Sequence, residues 1–144
     1  MPFTIVVVDD NLEYRQIVCA LLASVSGTMT IVGEAADGEE ALAVVRRERP
    51  DLVITDLVMP RLDGVELTRR IRQELPQTKV ILMSSHTEDA YLASDSGANA
   101  FVNKQVMTSS LLPAIRDVVA RRLSGGSGPL PPSAGASSAS AAPK

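Results

Sequence analysis

The segment F-T-I-V-V-V-D-D-N, residues 3–11, sets an apolar run directly against two adjacent aspartates. Its apolar part is rich in β-branched residues and shows little polar alternation, which predicts a strand covered on both faces. Asp9 and Asp10 then place like charges side by side where that strand ends. A single pair of this kind commonly caps the next helix. Its meaning therefore depends on what the rest of the chain brings beside it.

The pattern of residues 3–11 recurs along the chain, because short apolar runs alternate with segments of helical periodicity. The predicted strands are residues 3–8, 30–33, 52–55, 80–83 and 100–102. In the first helical segment Tyr14 belongs to an apolar stripe, and Asp37 caps the second helix. Asp63-Gly64 forms a turn into the third helix, and a short fourth helix, roughly Thr87 to Ser96, offers few apolar contacts. Repeated βα units of this size predict an α/β fold with an open, doubly wound parallel sheet and right-handed crossovers.

Composition divides the chain after Leu123. Residues 124–144 are almost entirely Gly, Pro, Ser and Ala, which bury too little apolar surface to offset the entropy of ordering. We therefore predict one folded domain at residues 1–123 and a disordered tail or linker at residues 124–144.

The charge balance and the apolar runs exclude several classes of protein. The formal net charge is -3 and no dense basic face is present, which argues against nucleic acid or a membrane as a partner of this chain. A single cysteine excludes an internal disulfide framework. The N-terminus lacks a signal-like segment and no apolar run approaches membrane-spanning length, so we expect a cytoplasmic protein.

Polar side chains collect where the predicted strands end. Asp9 and Asp10 follow the first strand, Asp56 the third, Ser84 the fourth and Lys104 the fifth. Because the carboxyl ends of parallel strands meet at one edge of a sheet, we expect these residues to share a small concavity. Three carboxylates there repel one another unless a hard cation such as Mg²⁺ and a lysine neutralise them. With a hydroxyl as hydrogen-bond donor, these are the parts of a site that transfers a phosphoryl group to Asp56.

Together these motifs resemble a known family, the receiver domain of bacterial two-component response regulators. The resemblance rests on the aspartate pair, the motif D-x-x-M-P-x-x-D-G from Asp56 to Gly64, the serine after strand four and the lysine after strand five. It covers the whole predicted domain. It implies a flavodoxin-like (βα)5 fold whose five parallel strands take the order 2-1-3-4-5.

The resemblance also implies a role for each residue of the metal site. Asp56 would be the phosphoacceptor, and Asp10 and Asp56 would be direct Mg²⁺ ligands. Asp9 would bind the ion through water, and the main-chain carbonyl of Val58 would complete the protein ligands. Lys104 would contact the phosphoryl group.

Two further residues would make the site a switch. By the resemblance, Ser84 is the switch hydroxyl and Phe101 the aromatic switch residue, although an aromatic on a short strand is as often part of the core. Val58 stands where side chains in this family influence dephosphorylation. Since an apolar side chain cannot position a hydrolytic water, we expect the phosphoryl group to persist.

The function implied is a phosphorylation-activated signalling switch. The phosphoryl group would come from the phosphohistidine of a sensor histidine kinase or a histidine phosphotransfer protein, and the domain would catalyse its own phosphotransfer and dephosphorylation. The face formed by the fourth helix, fifth strand and fifth helix would then dock a downstream protein or a second copy of the chain.

Other classes of protein fit the sequence less well or remain open. A phosphatase of the haloacid dehalogenase type needs D-x-D after its first strand, and a phosphate-cradling loop G-x-x-x-x-G-K-[ST] is missing. A pseudo-receiver that binds partners without phosphorylation is one open alternative. The other is a receiver fragment of a DNA-binding regulator, since residues 32–42, V-G-E-A-A-D-G-E-E-A-L, are typical of receivers that precede a helix-turn-helix domain.

Overall fold

Strands and helices alternate along the part of the chain that the computed structural model describes, residues 3–25, 29–59 and 61–123. The elements are β1 (Phe3–Val8), α1 (Leu12–Ala23), β2 (Met29–Ala35), α2 (Gly38–Glu48), β3 (Leu52–Asp56), α3 (Gly64–Glu74), β4 (Lys79–Ser84), α4 (Ala90–Ser96), β5 (Ala100–Asn103) and α5 (Met107–Leu123). Single turns of 3-10 helix precede α4 (Thr87–Asp89) and α5 (Lys104–Val106).

The five strands form one parallel sheet in the order β2-β1-β3-β4-β5, which confirms the predicted topology. The first crossover adds β2 on one side of β1, and the next adds β3 on the other side, so β1 and β3 flank the topological switch point. Doubly wound folds open a crevice there, at the carboxyl ends of their strands. Val8 pairs with Thr55 across these two strands. The residues that follow this pair, Asp9 after β1 and Asp56 at the end of β3, therefore stand at the mouth of that crevice.

Helices cover both faces of the sheet, and β1 supplies side chains to both hydrophobic layers. Ile5 and Val7 belong to the layer under α1 and α5, while Val6 and Val8 belong to the layer under α2, α3 and α4. All four of these side chains are fully buried. This two-sided burial is the physical reason for the unbroken apolar runs in the sequence.

Side-chain caps fix the starts of three helices. Asn11, Asp37 and Asp63 each accept a hydrogen bond from the main-chain N–H three residues further on, at 3.2, 2.8 and 2.9 Å. Each such cap stabilises its helix by about 1 kcal/mol. The predicted cap at Asp37 is confirmed, whereas α1 is capped by Asn11, so the aspartate pair remains available for another role.

Two expectations fall outside the described residues. The predicted tail at 124–144 lies there, as does Pro60 of the D-x-x-M-P-x-x-D-G motif, so the division into a domain and a tail stays a prediction. Among the residues that are described, no helix is both long and apolar enough to cross a bilayer.

Candidate functional site

Three carboxylates meet at the carboxyl end of the sheet. One oxygen from each of Asp9, Asp10 and Asp56 lies within 4.8 Å of the other two. Asp9 and Asp56 follow or end the paired strands β1 and β3 and are buried, while Asp10 is exposed. The structure therefore brings the three predicted acidic residues together, with two of them withdrawn from solvent.

Lys104 supplies the positive charge of the cluster. It begins the 3-10 turn after β5, and its Nζ lies 2.7 Å from Asp9 Oδ2 and 3.3 Å from Asp56 Oδ1. The same ammonium stands 4.0 Å from the centre of the Tyr14 ring, a cation–π contact. The residue is only 7% exposed, so its charge is little screened by water. Lys104 is thus held between two carboxylates and an aromatic face.

Asp9 is fixed from several sides, whereas Asp10 is exposed. Asp9 Oδ1 accepts a hydrogen bond from Asn11 N at 2.9 Å, and its main-chain oxygen accepts one from Arg15 Nη1 at 2.7 Å. Its Oδ2 contacts the Lys104 ammonium but has no aligned hydrogen bond, although it is fully buried. A buried oxygen with spare acceptor capacity faces the cluster.

Burial raises the pKa of Asp56 to about 6, because the charged form loses solvation, and the neighbouring Asp9 and Asp10 charges act in the same direction. Lys104 opposes both effects. The main-chain N–H of Leu57 donates to Asp56 Oδ1 at 3.0 Å. A carboxyl with this pKa is mostly ionised at pH 7, where its charge is poorly solvated, and a cation beside it stabilises the nucleophilic carboxylate.

The loop between β3 and α3 packs closely against the end of β3. A Cβ atom on Gly64 would overlap the main-chain oxygen of Asp56 and come within 2.9 Å of Leu57 Cα, and Gly64 N donates to Leu57 O at 2.8 Å. Positive φ among the described glycines is found at Gly97 alone, so Gly64 serves close approach rather than a turn conformation. The turn predicted from Asp63-Gly64 is therefore a helix cap followed by a space-saving glycine.

Val58, in the same loop, points away from the protein, with 69% of its surface exposed. Its neighbour Met59 is buried, with its sulfur 3.9 Å from the hydroxyl of Thr55. The loop is thus anchored by the residue after Val58, and the Val58 side chain itself offers no polar group to the site.

Ser84, at the end of β4, has a partner that the sequence did not indicate. Its hydroxyl donates to Asp89 Oδ2 at 2.7 Å and accepts from His86 N at 3.1 Å. Ser84 is buried, and Asp89 belongs to the 3-10 turn that precedes α4. The predicted switch hydroxyl is therefore occupied by a carboxylate on the α4 side of the crevice.

Phe101 is half-buried on β5 and packs against both hydrophobic layers. This position is compatible with either a core or a switching role, so the predicted role of Phe101 stays a prediction.

The cluster fits the predicted metal. Its donors are carboxylate oxygens, which Mg²⁺ prefers, and they number few enough to leave coordination positions for water and a phosphoryl oxygen. Asp9 Oδ2 adds a buried oxygen without an aligned hydrogen bond. The arrangement matches a hard cation far better than zinc, which favours nitrogen and sulfur donors.

The sequence missed two contacts of the site. Tyr14 packs against the core, as its place in the apolar stripe of α1 predicts, and its ring also covers Lys104, which the sequence did not indicate. Asp89 follows Glu88 at the start of the predicted fourth helix, and nothing in the sequence distinguishes the two acids. Both roles depend on the direction of side chains in loops and helix starts, which periodicity does not encode.

The fold is a doubly wound α/β domain with an acidic cluster and a buried lysine at its crevice, and comparison with known proteins identifies the family. Residues 5–116 match the family model of the response regulator receiver domain. Over 118 residues the chain is 35% identical to the response regulator protein VraR of Staphylococcus saprophyticus, an alignment covering 81% of this chain and 56% of that protein. The chain belongs to the response regulator receiver family. It spans about half the length of these curated relatives.

Solved structures show the same likeness. The signal receiver domain of the response regulator NarL from Mycobacterium tuberculosis is 32% identical, with a TM-score of 0.75 over 81% of this chain and 95% of that one. A two-component response regulator of the LuxR family from Aurantimonas is 31% identical, with a TM-score of 0.76 over 83% and 86% of the two chains. The CheX-CheY-BeF3-Mg complex from Borrelia burgdorferi is 25% identical, with a TM-score of 0.76 over 83% and 90%.

Proposed function

We propose that this domain is a signalling switch that accepts a phosphoryl group on Asp56 in the presence of Mg²⁺. The observation that supports this most directly is the buried Lys104 ammonium, 3.3 Å from Asp56 Oδ1 within a cluster of three carboxylates. A lone buried lysine paired with one acid would serve stability. At the crevice of a receiver fold, three carboxylates carry more charge than one lysine neutralises, so a metal cation can bind beside them. The lysine can then contact an incoming anion.

The donor in this proposal is a phosphohistidine of a sensor histidine kinase or a histidine phosphotransfer protein. A carboxylate oxygen of Asp56 forms the new P–O bond while the P–N bond to the donor imidazole breaks, and the imidazole nitrogen keeps the bonding electrons. Asp10, Asp56 and the Val58 main-chain oxygen would hold Mg²⁺ directly, with Asp9 acting through water. The ion supplies charge neutralisation at the phosphoryl oxygens.

Lys104 supplies the remaining positive charge that stabilises the phosphoryl group. Its ammonium already contacts Asp56 and is shielded from solvent. It can therefore stabilise the negative charge first on the carboxylate and then on the phosphoryl oxygens, with little reorganisation of water. The exposed side chain of Val58 is apolar and cannot orient a hydrolytic water. A persistent phosphoryl group is part of this proposal.

The output of the switch is assigned to the face formed by α4, β5 and α5. Helix α4 has seven residues and buries only Ala93 and Ser96, which makes it the element most easily repacked when Ser84 and Phe101 move. Tyr91 and Val106 are 65% and 48% exposed at this end of the molecule. They offer apolar contact area to a downstream protein or to a second copy of the chain.

A second candidate is favoured by the length of the relatives. The matched VraR proteins extend well beyond the aligned region, since the alignment covers 56% of them. In this reading the domain is the receiver part of a longer, DNA-binding regulator. An antibody against residues 1–123 tests this on an immunoblot of the source cells, where a product much longer than 144 residues supports it and a product of 144 residues contradicts it.

The central proposal is tested by incubating the chain with acetyl phosphate and Mg²⁺ and measuring its intact mass. We expect a gain of one phosphoryl group, lost in Asp56→Ala and after chelation of the metal. Asp95→Asn, which removes an exposed acid on α4, is the matched control and retains the gain. A wild-type protein that gains no mass contradicts the proposal and favours a pseudo-receiver.

A further inference from the structure

We propose that Asp89 is a positioning residue that holds the Ser84 hydroxyl in the unphosphorylated arrangement, so that activation requires Ser84 to exchange one anionic acceptor for another. This inference rests on the proposed function of Asp56. Its structural basis is the hydrogen bond from Ser84 Oγ to Asp89 Oδ2 at 2.7 Å, a short bond to an ionisable group.

A serine hydroxyl has one proton and can donate it to one acceptor at a time. In the structure that proton goes to Asp89, and the oxygen itself accepts from the main-chain N–H of His86 at 3.1 Å. A phosphoryl group on Asp56, which pairs with Met83 on the neighbouring strand, adds strong acceptor oxygens beside the end of β4. Donation to the phosphoryl group therefore requires the bond to Asp89 to break.

Asp89 also links the hydroxyl to the proposed output face. It lies in the 3-10 turn Thr87–Asp89, directly before α4, and its own N–H donates to His86 O at 3.1 Å. The bond from Ser84 thus ties the end of β4 to the start of α4. When Ser84 turns away, Asp89 loses its buried donor and the turn loses a tie to the sheet, which gives the repacking of α4 a specific first step.

The direction of the effect follows from this competition. Asp89→Ala removes the acceptor that favours the inactive arrangement, so the arrangement that receives the phosphoryl group becomes more populated. We expect phosphoryl uptake from acetyl phosphate to be roughly fivefold faster, the size expected for one charge-assisted hydrogen bond that is partly exposed. Loss of a negative charge near the site would also speed uptake, so the charge effect needs its own control.

Glu88 provides that control. It is exposed in the same turn, and its carboxylate lies 3.9 Å from His86 Nδ1 rather than on Ser84. Glu88→Ala removes the same charge one residue away while leaving the hydroxyl bond intact. We expect it to change the uptake rate by less than about twofold.

The test compares wild type, Asp89→Ala, Glu88→Ala, Ser84→Ala and the double variant Ser84→Ala/Asp89→Ala. Uptake is followed by intact mass with acetyl phosphate and Mg²⁺. If Asp89 acts through Ser84, the double variant matches Ser84→Ala, because the acceleration needs the hydroxyl. Equal rates for Asp89→Ala and Glu88→Ala, or an undiminished acceleration in the Ser84→Ala background, overturn the proposal.

A second measurement separates this proposal from the phosphorylation proposal. Amide hydrogen exchange of residues 85–92 is recorded in the unphosphorylated proteins, and Ser84→Ala, Asp89→Ala and the double variant should show the same faster exchange. Additive effects overturn the link between the two residues. If the three variants show the same exchange but no protein takes up a phosphoryl group, the link between Ser84 and Asp89 stands. The proposed function, and with it the switching role of Asp89, is then wrong.

Discussion

At the scale of single residues, Asp56 carries an electrostatic cost when no metal is bound. Its pKa of about 6 lies above the value of about 3.9 for an unfolded chain, so the folded protein binds more protons between these values. Stability then falls as the pH rises from about 4 to about 6, and the loss is complete above that range.

We therefore expect metal-free Asp56→Asn to be more stable than wild type at pH 7.5, by roughly 1–3 kcal/mol. The amide keeps the shape of the side chain and removes the buried charge. The advantage should vanish below about pH 3, where the carboxyl is protonated in both the folded and the unfolded state. Urea unfolding in the presence of chelator measures the difference, and an advantage that does not change with pH would contradict this origin.

Asp9 and Asp10 differ in burial, so their replacement should have different effects. Asp10 is exposed and outside the Lys104 ion pair, whereas Asp9 is buried and 2.7 Å from that ammonium. Asp10→Asn should weaken Mg²⁺ binding while leaving the metal-free melting temperature nearly unchanged. Asp9→Asn should alter the metal-free melting temperature, because it leaves a buried ammonium with one partner fewer.

Thermal unfolding with and without Mg²⁺ measures both effects, since a ligand of the folded state raises the melting temperature with its concentration. Equal metal-dependent stabilisation of Asp10→Asn and wild type would remove Asp10 from the proposed ligands.

Tyr14 should help to position Lys104 through the face of its ring, 4.0 Å from the ammonium. Tyr14→Phe keeps the aromatic face, and Tyr14→Leu keeps the bulk without it. We expect the leucine variant to accept a phosphoryl group about threefold more slowly and the phenylalanine variant to match wild type. Initial rates from acetyl phosphate measure this, and equal rates for the two variants would mean that the ring only fills space.

The sequence predicted the positions of the site more completely than its contacts. Asp9, Asp56 and Lys104 could be placed together because each stands where a parallel strand ends, and Ser84 was placed correctly at the end of β4. The bond from Ser84 to Asp89 could not be predicted, since Glu88 and Asp89 are equivalent in the sequence and only the turn geometry selects one of them.

At the scale of elements, α3 can start beside Asp56 because Gly64 has no side chain. A Cβ atom there would overlap the Asp56 main-chain oxygen. Gly64→Ala should therefore displace the start of α3 and destabilise the protein by roughly 1–3 kcal/mol. It should also slow phosphoryl uptake, because the displaced backbone carries the acceptor.

Urea unfolding tests the stability change, with Gln73→Ala, an exposed substitution on the same helix, as the control expected to stay within about 0.5 kcal/mol of wild type. A Gly64→Ala protein as stable as wild type would show that the loop between β3 and α3 can shift without lowering the free energy of unfolding.

Helix starts were predictable where a capping side chain marks them, as at Asp37. The start of α4 was not, because residues 87–89 form a 3-10 turn where the sequence suggested a continuous helix. The reason is local: no side-chain cap satisfies the first N–H groups of α4, so the chain tightens instead.

At the scale of the whole molecule, the strand order followed from the resemblance of the motifs, since the connection rules alone leave two common orders open. The register did not, because the irregularity between Ile5 and Val6 against β2 leaves no trace in a uniformly apolar run. The extent of the folded unit is still a prediction.

We expect removal of residues 124–144 to leave the urea midpoint and the phosphoryl uptake unchanged, since that segment is too poor in large apolar residues to add to the core. A shortened chain of lower stability would show that the boundary after Leu123 is wrong.

β1 contributes alternate side chains to both hydrophobic layers, whereas α4 buries only two residues. We therefore expect the side of the crevice that carries Asp9 and Asp56 to fluctuate less than the side that carries Asp89. Asp9 follows and Asp56 ends a strand buried from both sides, so we expect their geometry to persist until the whole domain unfolds. The partner of Ser84 belongs to a turn before a helix with two buried residues. We therefore expect the phosphorylation site to lie in the part of the domain whose amide hydrogens exchange slowly, and the Ser84 readout in a part whose amide hydrogens exchange faster. A change at the readout then need not disturb the fold.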